Sequence, residues 1–113
     1  MSGIELENEL QAKTKQLETS VKQLRKNGTE YAQAERDYKV LLHTECLKLR
    51  NEGMPVTMIP LVCYGIQSVA DARFKRDCAE TVYKANQEAI QSIKLQMRII
   101  ESQISRETGV GGI

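Results

Sequence analysis

The stretch YKANQEAIQSIKLQMRIIESQI, Tyr83 to Ile104, decides the fold. Within it Tyr83, Asn86, Ile90, Ile93, Met97, Ile100 and Ile104 recur at alternating spacings of three and four. That is the stripe a helix presents when it packs along its length on another helix, a coiled-coil seam.

Working outward, Ser68-Val69-Ala70-Asp71 offers a cap with an acidic residue three positions later, so the helix carrying the seam is expected over 68–106. Gly109, Gly111 and Gly112 should end it, leaving 107–113 as a disordered tail. On the other side, 4–51 holds no proline, and Leu10, Leu17, Leu24, Tyr31 and Tyr38 stand seven apart. This row marks a second seam, with Thr14, Val21, Gly28, Glu35, Leu42 and Leu49 expected beside it. Asn27-Gly28 is a weak point, since glycine costs a helix roughly 1 kcal/mol against alanine. The leucine and tyrosine row crosses it without losing phase, which favours one continuous helix over 4–51. Gly53 and Pro55 supply a strong stop. The segment 52–67 then reads as a structured connector with a short helix, capped by Thr57 and ended by Gly65.

The expected fold is therefore all-α: a single domain, 1–113, in the form of a long antiparallel two-helix coiled-coil hairpin. An antiparallel register that sets large residues against small pairs Leu49 with Ala72, Leu42 with Ala79, Gly28 with Ile93 and Tyr38 with Tyr83. It also sets Glu45 against Arg76 and Glu35 against Asn86 as polar layers that fix alignment. In this register Ile4, Leu6 and Leu10 overhang the second helix, while Leu95 and Ile99 occupy the face opposite its seam. These five residues predict self-association into a helical bundle, most simply a homodimer of hairpins.

Composition agrees with zipped helices: aromatics make up only 4% of the chain and tryptophan is absent, which disfavours a core built on bulky anchors. A net charge of +1 gives no global attraction to nucleic acid or anionic membrane. The longest apolar run, Ile59 to Tyr64, contains Pro60 and is far too short for a membrane span. Three cysteines without a Cys-x-x-Cys pair, and a start that lacks the apolar core of a secretory signal, lead us to expect a reducing, cytoplasmic setting.

Signals of chemistry are sparse. His43 is the only histidine and has no companion at metal-ligand spacing, no Gly-rich phosphate loop or nucleophile elbow is present, and neither metal nor cofactor is expected. Each cysteine has a plain account as a small semi-buried residue. Two surface features remain. Lys22, Arg25, Lys26, Lys94 and Arg98 would form a basic patch in the register above, a candidate nucleic-acid contact, although no aromatic is interleaved for base stacking. Met54, Val56, Met58, Ile59, Leu61 and Val62 make the connector more apolar than a hairpin turn requires. They either pack as a cap on the hairpin or present a docking site for another protein.

Glu52-Gly-Met-Pro-Val-Thr followed by Arg73-Phe-Lys-Arg-Asp, set between Leu10 and Arg106, resembles small uncharacterised coiled-coil proteins encoded in replication and recombination regions of phages and prophages of Gram-positive bacteria. The resemblance implies a phage-derived protein of the host bacterial cytoplasm and carries no active site with it. The expected function is a non-enzymatic interaction module, accessory to phage DNA metabolism or inhibiting a host protein, including one of defence. A DNA-binding accessory factor and a structural or assembly protein of the phage particle are the alternatives.

Overall fold

The computed structural model describes residues 3–109. The chain is an all-α helical hairpin, with helix α1 (Gly3–Asn51), a five-residue helix α2 (Ile59–Cys63) and helix α3 (Gln67–Gly109). It divides into two compact units, one built from α1 up to Arg25 with α3 from Lys84 onward, the other from Lys26–Tyr83.

α1 runs unbroken through Asn27-Gly28. Its C-terminus is a Schellman motif: the Gly53 amide bonds the Arg50 carbonyl at 3.0 Å, and the Met54 amide reaches back to Leu49 at 3.1 Å. Gly53 takes φ +88°, a left-handed conformation open to glycine at little cost. The other cap expectations are corrected. α2 begins after Met58, not Thr57, with no side-chain cap and with Pro60 in its first turn. α3 begins at Gln67, whose Nε2 donates to Asp71 Oδ1 at 2.8 Å, so Ser68 lies inside the helix rather than capping it. α3 also continues three residues past the expected end: 107–109 are helical, and the remainder of the expected tail lies outside the described residues.

In the unit of Lys26–Tyr83, the two long helices are antiparallel, because Gly28 meets Tyr83 while Glu35, further along α1, meets Arg76. The register is one heptad away from the one read from the sequence. Tyr31, not Tyr38, stacks with Tyr83, at 5.9 Å between ring centres. Arg76 lies over the ring of Tyr38 at 4.8 Å, and its guanidinium reaches Glu35 at 3.7 Å and Asp77 at 2.7 Å. Glu45 instead pairs with Lys48 at 3.2 Å on its own helix. The physical reason lies at Gly28. A Cβ there would stand 3.1 Å from Cε1 of Tyr83, so the ring occupies space that any larger residue would fill.

In the other unit the order is again antiparallel. Asn86 Nδ2 donates to the Ser20 carbonyl at 3.2 Å, which removes Asn86 from its expected place opposite Glu35. Ile93 lies beside Lys15, Gln16, Thr19 and Ser20, and Gln103, Arg106 and Glu107 beside Leu6. Leu6 is consequently 2% exposed and does not overhang. The seam of α3 is the expected one, with Ile90 and Ile100 buried and Ile93, Met97 and Ile104 half-buried. Each fully buried isoleucine contributes about 1.5–3 kcal/mol of transfer free energy. On α1 the leucine and tyrosine row faces inward, but its closest companions include Leu6, Asn27 and Ala34, all buried. Val21, expected beside the row, is 39% exposed. A seven-residue repeat is compatible with companion rows three and four residues on, and the structure uses both: Thr14, Gly28, Glu35, Leu42 and Leu49 of the expected row are half-buried, and only Val21 of that row is exposed.

The contact at Gly28 generates a two-way test. Gly28→Leu should destabilise the protein by about 1–3 kcal/mol in urea unfolding, the cost of overpacking against the Tyr83 ring. Gly28→Ala should gain the full helix-propensity benefit of roughly 1 kcal/mol only when Tyr83 is also replaced by Ala. Equal effects in both backgrounds would refute the contact.

Candidate partner-docking surface

The candidate site lies within the Lys26–Tyr83 unit, where the end of α1, the connector and the start of α3 share a core. Tyr38, Cys63 and Val69 form its buried centre, with Leu41, Leu42, Cys46, Leu49, Ile66 and Ala72 packed around them. α2 is too short to be stable by itself. It is held because Cys63 belongs to this core and Ile59, one turn before it, is buried as well. The amides of Val62, Tyr64 and Gly65 close its turns on Met58, Pro60 and Val62 at 3.1, 3.4 and 3.1 Å.

The same turn geometry pushes other apolar residues outward. Val56 is 71% exposed, Leu61 79% and Phe74 71%, while Met58, Val62 and Tyr64 are exposed to a lesser degree and Met54 is half-buried. On α1, Val40 and Leu47 are exposed as well. The connector therefore does both things read from its composition: Ile59 caps the hairpin, and Val56, Met58, Leu61 and Val62 face solvent. Beside them an apolar pocket of about 280 Å³ is lined by His43, Cys46, Leu47, Arg50, Val56, Ile59 and Pro60. His43, Cys46, Leu47 and Arg50 follow one another at three, one and three residues, which places them on one face of α1. Sequence reasoning placed Leu47 near the connector residues but did not name His43 and Arg50 as their companions in one concavity; the spacing of 43, 46, 47 and 50 was the available signal.

Charges around this surface are engaged locally. Arg73 lies 5.6 Å over the ring of Tyr64, and Lys48 is tied to Glu45. Arg76 is held protonated above the ordinary arginine range, chiefly by its hydrogen bond to Asp77 and against the opposing effect of burial. Burial, reinforced by a contact with Cys46, pushes the Cys63 thiol up to about 11.

The remaining sequence-derived residues are not gathered into one place. Leu95 and Ile99 are exposed on α3 and Ile4 is exposed near the start of α1, whereas Leu10 is half-buried. Of the five basic residues, Lys26 belongs to one unit and Lys22, Arg25, Lys94 and Arg98 to the other. Within that other unit, the neighbours of Ile93 are Lys15 to Ser20, which sets Lys94 about one heptad, roughly 10 Å, from Lys22 along α1. Among the described residues no group of three or more His, Cys, Asp or Glu stands in metal-binding geometry, and no helix is long and apolar enough to cross a membrane. Comparison with protein-family models, with curated proteins and with solved structures gave no match to this chain.

The three thiols should differ in reactivity at pH 8. Cys78 is exposed, Cys46 half-buried and Cys63 buried. A thiol raised to about 11 carries almost no thiolate at that pH. Iodoacetamide should therefore label Cys78 first and Cys63 last in the folded protein, and all three alike in urea, as read by mass spectrometry.

Proposed function

We propose that the chain is a non-enzymatic helical interaction module that docks another protein on the apolar surface of its connector. The observation that carries this reading is the exposure of Val56 and Leu61 on a connector whose own core residues are packed, with Phe74 exposed on the adjoining first turns of α3. Large apolar side chains fixed in water cost solvation free energy that burial against a partner would return, at about 25 cal/mol per Å². The adjoining pocket offers a recess for an anchor side chain, with His43 and Arg50 on its lining to receive a carboxylate or backbone carbonyl.

The resemblance of the Glu52–Thr57 and Arg73–Asp77 stretches supports a phage-derived protein acting in the bacterial cytoplasm. There the module would assist phage DNA metabolism or inhibit a host protein. Self-association, as a dimer, is supported by the exposed Ile4, Leu95 and Ile99.

The test pairs wild type with a Val56→Asp, Leu61→Asp variant as baits in a lysate of a Gram-positive host. Both positions are exposed, so circular dichroism should show unchanged helicity. A specific partner should be retained by wild type and its affinity should fall by roughly 30-fold in the variant, the effect of losing about 2 kcal/mol at a hot spot. Equal recovery by both baits would refute the surface. Sedimentation equilibrium of Leu95→Asp, Ile99→Asp tests the dimer separately: a wild-type dimer should become monomeric, and a monomeric wild type would exclude it.

A further inference from the structure

Cys46 on α1 and Cys63 on α2 are free thiols with their sulfur atoms 3.3 Å apart, although 17 positions separate them in the chain. Their surroundings are unequal. Cys63 is 0% exposed, and its thiol points to the Leu42 carbonyl at 3.7 Å. Cys46 is half-buried and lines the apolar pocket, so a small solute entering there meets its sulfur while Cys63 lies behind it. Burial also keeps Cys63 protonated, its thiol being pushed up to about 11, and this leaves Cys46 as the first nucleophile of the pair.

We propose that Cys46 and Cys63 form an oxidation site for hydroperoxides, in which Cys46 is the attacking thiol and Cys63 the resolving one. The Cys46 thiolate attacks one peroxide oxygen, the O–O bond breaks, and the departing hydroxide leaves as water with the proton the thiol gave up. Cys46 is then a sulfenic acid. Cys63 attacks the Cys46 sulfur, the S–O bond breaks, and the released hydroxide takes the Cys63 proton as a second water. Two thiols lose two electrons in all, and one hydrogen peroxide becomes two waters. An S–S bond of about 2.05 Å requires the sulfurs to approach by roughly 1.2 Å. The product ties Ile59 and Pro60, which form one wall of the pocket, to α1. The peroxide enters through the pocket, so the chemistry belongs to the chain with no partner seated there.

The test uses the full, reduced chain treated with hydrogen peroxide, quenched with an alkylating agent and mapped without reduction. Wild type should lose two of its three thiols and the mass of two hydrogen atoms. It should yield a Cys46–Cys63 cross-linked peptide at a rate independent of protein concentration, reversed by dithiothreitol. Cys78→Ser should behave as wild type. Cys63→Ala, with Cys63→Val as the replacement that refills the cavity, should stop at a Cys46 sulfenic acid trapped by dimedone, with helicity checked by circular dichroism. Cys46→Ala should leave Cys63 unreacted. Cross-links formed only between chains through Cys78, a Cys46 sulfenic acid that persists in wild type, or three thiols still alkylatable after exposure to peroxide would each overturn the proposal.

Discussion

The contact of the Tyr83 ring with the bare backbone at Gly28 is the constraint on which the Lys26–Tyr83 unit depends. A heptad seam is nearly blind to a slip of seven residues, because every layer then meets another layer of the same kind. What breaks the tie is a residue that fits in one register alone. Tyr83 needs a gap on the facing helix, and Gly28 supplies it: even a Cβ there would stand only 3.1 Å from the ring. The glycine costs helix stability of roughly 1 kcal/mol. The return is a fixed alignment and an aromatic pair, Tyr31 with Tyr83, of the kind worth about 0.5–1.5 kcal/mol beyond its area.

Polar groups in the seam act in the same direction. Arg76 is largely covered, and it is tolerated because its guanidinium has company: the Asp77 and Glu35 carboxylates at its nitrogens and the Tyr38 ring beneath it. Slipping by a heptad would remove Glu35 and Tyr38 together and leave a half-desolvated charge, which is costlier than the pair is beneficial. The second unit carries its own lock in the Asn86 amide on the Ser20 carbonyl. That bond is made to a carbonyl already used by the helix, through its second lone pair, so it specifies position without breaking a turn.

How much of this was legible in the sequence follows from the same physics. The seam of α3 and the stop at Gly53 were readable because each is a local pattern: a 3–4 spacing, and a glycine placed where a left-handed residue is needed. The register was not, because the argument that large faces small is satisfied almost equally one heptad away, and the room at Gly28 was assigned to Ile93 instead of to the ring of Tyr83. The overhang at Leu6 was deduced from the lengths of the two helices, and it failed because α3 runs on to Gly109 and brings Gln103, Arg106 and Glu107 beside Leu6. The connector was legible in composition but not in detail. The six apolar residues named there do not announce that Ile59 faces inward, along with Cys63, until the end of α1 is positioned beside them.

That division of the connector also explains why its outer surface is held so firmly. A turn of this length would ordinarily be loose, and exposed apolar side chains on a loose turn would fold over to cover one another. Here the Schellman cap fixes where the chain leaves α1, and Cys63, with Ile59 one turn before it, anchors α2 to the core of Tyr38 and Val69. With both ends tied, Val56 and Leu61 lack the freedom to collapse inward. Their exposure is the geometric complement of the burial of Ile59 and Cys63, so a change that loosens the inner pair should also dissolve the outer surface.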